Sequence, residues 1–189
     1  NGAFIYYDLK GNQKRTGVFL NDLETGTWKY IQPDGVITAE GEYLEGKRTG
    51  KWLYKDNDGK KTGITSYKQG KNHGEYLGWF NDTLILQGRY EMDKKVGQWK
   101  NWYKNGNIDS EGAYISGERN GEWKFYHKSG QISARENYKN GEAISAEWFN
   151  ENGLSIETGT PLEKDPEFPG GPAAMARYIT ENVNYPESA

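Results

Sequence analysis

Residues 97–117 read Gly97-Gln98-Trp99-Lys100-Asn101-Trp102-Tyr103-Lys104-Asn105-Gly106-Asn107-Ile108-Asp109-Ser110-Glu111-Gly112-Ala113-Tyr114-Ile115-Ser116-Gly117. At the centre, Asn105-Gly106 is a dipeptide that favours a two-residue type I′ hairpin turn, in which both central residues take positive φ. Counting outward from such a turn puts Trp99 opposite Gly112, so that a large ring lies across bare backbone in the sheet. Ser116-Gly117 then supplies a second turn that hands the chain to the next strand. The stretch therefore reads as two antiparallel strands and two turns, with no helical period in it.

The same reading recurs along the chain. Gly2, Gly26, Gly50, Gly74, Gly97 and Gly121 each stand two residues before an aromatic, at spacings of 24, 24, 24, 23 and 24. Phe19, Tyr43, Tyr67, Tyr90, Tyr114 and Tyr138 keep the same beat, as do the turn glycines Gly11, Gly35, Gly59, Gly106 and Gly130 and a further set at Gly46, Gly70, Gly117 and Gly141. A fixed period of this size marks a repeat architecture. Units start near 2, 26, 50, 74, 97, 121 and 145, the last one worn, and the array occupies residues 1–159. Asp34-Gly35, Asp58-Gly59 and Asn152-Gly153 read as type I′ turns like Asn105-Gly106; the count from Asp34-Gly35 puts Tyr30 opposite Ala39 and Trp28 opposite Gly41, and the count from Lys10-Gly11 puts Phe4 opposite Gly17. The expected fold is mainly β: an elongated, single-layer antiparallel meander of about 12–14 strands, on the order of 60 Å long at ~4.8 Å per strand. Trp28 and Tyr30 share one face and the charged residues between them point to the other.

Composition agrees. Only 34% of the 189 residues are hydrophobic and mean hydropathy is −1.01, so a thick aliphatic core is excluded. Seven Trp, 14 Tyr and 25 Gly suit strands and tight turns instead. Net charge is −3 with the two signs interspersed, which argues against a nucleic-acid partner. No apolar run approaches the ~20 residues of a membrane-spanning helix, and no secretory leader is visible at the start.

Chemistry is sparse. There is no Cys, and the two histidines, His73 and His127, fall at a repeat position and beside a turn, so no zinc set assembles. Asp56-Asn57-Asp58-Gly59 lacks the carboxylate that closes a calcium loop. Carboxylates such as Glu40, Glu42, Glu91 and Glu122 sit at repeat positions and form no pair distinct from their counterparts. The expectation is no enzyme, no cofactor and no metal.

One unit breaks the rules. Residues 77–86 replace the turn glycine with Asn81-Asp82, drop one residue from the period and gather Leu77, Trp79, Phe80, Leu84, Ile85 and Leu86. An exposed apolar cluster on a polar protein marks a contact site, so Trp79, Phe80, Leu84, Ile85 and Leu86 are the candidate partner-binding residues. The competing reading is that Leu84 and Leu86 fill the gap left by the missing residue.

The recurrent G-x-W-x-x-Y, N/D-G, x-G-x-Y pattern, with Lys47-Arg48-Thr49-Gly50, Lys71-Asn72-His73-Gly74 and Glu118-Arg119-Asn120-Gly121 closing each unit, resembles the MORN repeat family in its bacterial variant, seen in YwqK-type antitoxin proteins. The resemblance implies a curved single-layer sheet used to bind proteins and, for some members, lipids. After Gly159 the style changes. Residues 160–171 form a Pro-rich linker, and Pro172 opens a short C-terminal α-helix within 172–189, with Met175, Tyr178, Ile179 and Val183 on one face. The run from Pro166-Glu167-Phe168-Pro169-Gly170-Gly171 through Tyr185-Pro186-Glu187-Ser188-Ala189 resembles the opening of a Bacteroidetes-style TonB C-terminal domain, in which further strands follow. A Pro-rich tail with a fortuitous helix is the alternative. That resemblance implies a periplasmic or cell-envelope protein. The functional expectation is a scaffold with a protein partner in the envelope; the alternative is a glycan or lipid-headgroup binder using the aromatic face.

Overall fold

A computed structural model describes residues 1–156; the linker and helix expected at 160–189 lie outside the described residues. Fourteen strands follow one another in chain order as an open antiparallel meander. They are β1 (Gly2–Tyr7), β2 (Gln13–Leu20), β3 (Leu23–Ile31), β4 (Ile37–Leu44), β5 (Lys47–Lys55), β6 (Lys61–Lys68) and β7 (Lys71–Phe80). After them come β8 (Thr83–Glu91), β9 (Lys94–Trp102), β10 (Ile108–Ile115), β11 (Glu118–Tyr126), β12 (Ile132–Lys139), β13 (Glu142–Phe149) and β14 (Ser155–Ile156). Packing divides the described chain into two compact units, one made of residues 1–74 and one beginning at Glu75.

The expected register holds. Trp28 pairs with Gly41 and Tyr30 with Ala39, Phe4 with Gly17 and Trp99 with Gly112. The turns behind that register are different. The Gly35 amide donates to the Gln32 carbonyl and the Gln32 amide to the Val36 carbonyl, both at 2.9 Å, and of Asp34 and Gly35 only the glycine has positive φ, at 88°. This is a type I turn followed by a left-handed glycine, one residue longer than a type I′ loop. The same bonds close the turns at 8–12, 56–60, 103–107, 127–131 and 150–154. The count outward survives because Tyr30 pairs with Ala39 while Ile31 pairs with Ile37, leaving Thr38 as a bulge that compensates for the longer loop. Apart from Asn81-Asp82 between β7 and β8, the two-residue turns with positive φ at both positions lie on the other connections: Glu45-Gly46, Gln69-Gly70, Ser116-Gly117 and Asn140-Gly141, together with Asn21-Asp22 and Met92-Asp93.

The G-x-W motif is itself a bulge. Glu40 pairs with Leu53 and Glu42 with Thr49, so Gly50-Lys51-Trp52 stands against Gly41 alone, with Gly50 at φ 63°. This offset swings the Trp52 ring back across the strand boundary, and a Cβ added to Gly41 would fall inside that ring. Gly17, Gly88 and Gly112 lie beneath Trp28, Trp99 and Trp123 in the same way. The ring that covers each glycine therefore belongs to the following hairpin, and is not that of the residue paired with it. Trp52, Trp99 and Trp123 then donate their indole N–H to the carbonyls of Glu42, Arg89 and Ala113 at 3.1, 3.2 and 3.1 Å. Trp28 Nε1 has no such partner.

Candidate functional site

Four tryptophans, Trp28, Trp52, Trp99 and Trp123, are at most 1% exposed. Half-buried tyrosines wedge edge-on between them. In the first unit Tyr43 lies 6.0 Å from Trp28 and 5.2 Å from Trp52, near perpendicular to each. In the second, Tyr114 lies 5.9 Å from Trp99 and 5.1 Å from Trp123. This edge-to-face geometry places the positive ring edge on the negative face of its neighbour. The indoles are thus spent on the core, and they are not the rings a sugar would stack against.

Cations lie over the rails. Arg48 sits 4.6 Å above the Trp52 ring and Arg119 4.6 Å above Trp123, while Lys95 lies 4.5 Å above Trp99. All three precede the bulge glycine by two residues, so in these three repeats the closing tripeptide delivers a cation to the ring face. At the corresponding place stands Glu24, and Arg15 supplies the cation instead, 5.0 Å over Trp28 and 2.9 Å from Glu24. Sequence reasoning noted these tripeptides as repeat ends and missed their role; the signal was the recurrence of Lys or Arg at that one offset.

The opposite face of the second unit carries charge. Lys100 pairs with Glu111 at 2.8 Å and the Tyr126 hydroxyl donates to Glu111 at 2.8 Å. The hydrogen bond from Lys100, ahead of that from Tyr126, holds the Glu111 carboxyl below its usual range. Burial first and then Glu111 push Tyr126 up to about 12, and burial with Glu136 does the same to Tyr138. His127 Nε2 lies 2.8 Å from the Phe149 carbonyl. Among the described residues no group of three or more His, Cys, Asp or Glu side chains is placed to hold a metal ion. No helix among them is long and apolar enough to cross a membrane.

The hairpin singled out in sequence closes on Asn81-Asp82 with φ of 45° and 62°. This is a two-residue loop in a series where the other hairpins have the longer turn, and it accounts for the missing residue. Trp79 and Phe80 end β7, and Leu84, Ile85 and Leu86 open the neighbouring β8. Trp79, Phe80, Leu84 and Ile85 are half-buried. Leu86 is 7% exposed and packs against Gly78, so it serves the core. Lys104 Nζ lies 4.1 Å over the Phe80 ring.

Residues 95–115 and 119–140, the hairpins β9–β10 and β11–β12, match the family model described as the MORN repeat variant. These two units are similar to MORN repeats. In both units the buried tryptophan, its cation and the tyrosine that follows fall at the same places, and the same set recurs at Arg48, Trp52 and Tyr67. No curated protein matches the chain.

Proposed function

We propose that this chain is a non-enzymatic protein-interaction or scaffolding module of the bacterial cell envelope, joined to a TonB-like segment, and that Trp79, Phe80, Leu84 and Ile85 form its principal contact surface. The observation that carries the reading is the departure of the β7–β8 hairpin from the repeat. It has a shorter loop than its counterparts, and apolar, half-buried residues flank that loop on both strands. Repeats of the MORN variant are binding modules, which supports interaction over chemistry. The TonB-like pattern at 166–189 supports the envelope.

Two experiments test it. Photocrosslinking in native cells from a probe placed at Trp79 should trap a discrete protein, and Phe80→Ala should reduce its recovery while circular dichroism stays unchanged. Undiminished recovery with the fold intact removes the hairpin from the contact surface. Fractionation of the same cells should recover the chain with the envelope, and recovery in the cytosol removes that part of the reading. The glycan or lipid-headgroup alternative loses Trp28, Trp52, Trp99 and Trp123, which lie in the core, and is left to exposed tyrosines such as Tyr7 and half-buried rings such as Trp102 and Trp148.

A further inference from the structure

Three arginines stand over the aromatic rails in related settings, and they differ in one respect. Arg15 has Glu24 at 2.9 Å. Arg119 donates to the Tyr138 hydroxyl at 2.9 Å, and that hydroxyl in turn donates to the Glu136 carboxylate. Arg48 has no carboxylate among the described residues. Its Nε reaches the Tyr43 hydroxyl at 3.5 Å, and its Nη1 reaches those of Tyr54 and Tyr67 at 3.2 and 3.5 Å. The reason lies in sequence. Where Trp123 pairs with Glu136, Trp52 pairs with Thr65, and the place of Glu24 is taken by Arg48 itself.

The hydroxyls around Arg48 are already paired, Tyr30 with Tyr43 at 3.0 Å and Tyr54 with Tyr67 at 2.8 Å. One guanidinium therefore meets three phenols, backed by a fourth at Tyr30, with no carboxylate among the described residues, and none of the bonds from Arg48 uses its Nη2. A half-buried cation in such a setting is stabilised by an anion that accepts from both the guanidinium and phenol O–H groups.

We propose that the Arg48 station is a receptor for a single carboxylate, supplied by an Asp or Glu side chain of the protein partner. The assignment rests on the protein-interaction reading above and gives that partner an acidic residue. A carboxylate fits better than a phosphate because one cation balances one negative charge, and two oxygens match the guanidinium fork.

The test uses the full chain and nuclear magnetic resonance of the Arg48 Nε–H and Trp52 indole N–H. The probe is acetyl-Gly-Asp-Gly-amide, with its Asn analogue and inorganic phosphate as separate arms at matched ionic strength. The Asp peptide should shift both resonances to saturation, the Asn peptide should not, and Arg48→Met should weaken the response by about tenfold or more. Thr65→Glu, which installs the missing carboxylate, should also abolish the response; if it does not fold, Arg48→Met alone decides. No saturable response to the Asp peptide, a response unchanged in Arg48→Met, or a stronger response to phosphate overturns the proposal. The peptide response does not depend on crosslinking at Trp79, so failure of one leaves the other standing.

Discussion

Glycine does two distinct jobs in this protein, and they separate cleanly. Gly88 lies in β8 beneath Trp99, where an added Cβ would enter the indole, whereas Gly46 sits at φ 74° with nothing closer than 3.5 Å. Gly88→Ala is expected to lose roughly 1–3 kcal/mol or more by overpacking. Gly46→Ala should lose about 1–2 kcal/mol by left-handed strain. Urea unfolding checks both, and only the Gly88 effect should couple to Trp99: the double variant Gly88→Ala, Trp99→Leu should cost less than the sum of its parts. At Glu111 the Lys100 hydrogen bond lowers the carboxyl pKa from its ordinary value of 4.5. A lowered folded-state value means the contribution is present above about 4.5 and is lost as pH falls through the folded value. Carbon-detected titration should place Glu111 below 4.5, and Lys100→Met should bring it back toward that value.

Hairpins were legible in the sequence because period and turn glycines repeat, but turn types were read the wrong way round. Asn-Gly and Asp-Gly suggested type I′ loops, yet in four of these turns the residues ahead of that dipeptide favour type I. Asp8, Asp56 and Asn150 accept from downstream amides at 2.8–3.0 Å, and Pro33 presets the second place of the turn at Gln32, both marks of a type I turn. The true type I′ loops hold Glu45 at φ 50° and Gln69 at φ 52°, residues with no preference for that geometry. Glu45→Asn should therefore raise stability by about 0.5–1 kcal/mol, read as a shift in urea midpoint; no shift would mean that the neighbouring turn already fixes Glu45. At the candidate site, the apolar hairpin was visible from composition. Whether Leu86 fills the core or joins that surface stayed open, because strand alternation alone does not say which face is covered. The cation over each of the four buried tryptophans went unread because the recurrence of Lys or Arg before the glycine does not by itself reveal the bulge that aims it.

Within each compact unit, stability is passed from neighbour to neighbour, as in other repeat arrays. Tyrosines in that array bear on alkaline stability. Burial, then nearby carboxylates, raise Tyr126 and Tyr138 from 10.0 to about 12. A phenol with a raised folded-state pKa contributes stability fully below 10 and loses it as pH climbs through about 12, so denaturation midpoints should fall steeply over that window, and a flat profile would count against buried phenols. The central claim is that each tryptophan fastens its own hairpin to the one before it. Residue-resolved hydrogen exchange on Trp99→Ala tests this most directly, in a variant expected to lose about 3–5 kcal/mol. Protection should drop together in β8, which carries Gly88 and the Arg89 carbonyl, and in the hairpin β9–β10. Loss confined to β9–β10, with β8 protected as in the wild type, would contradict it.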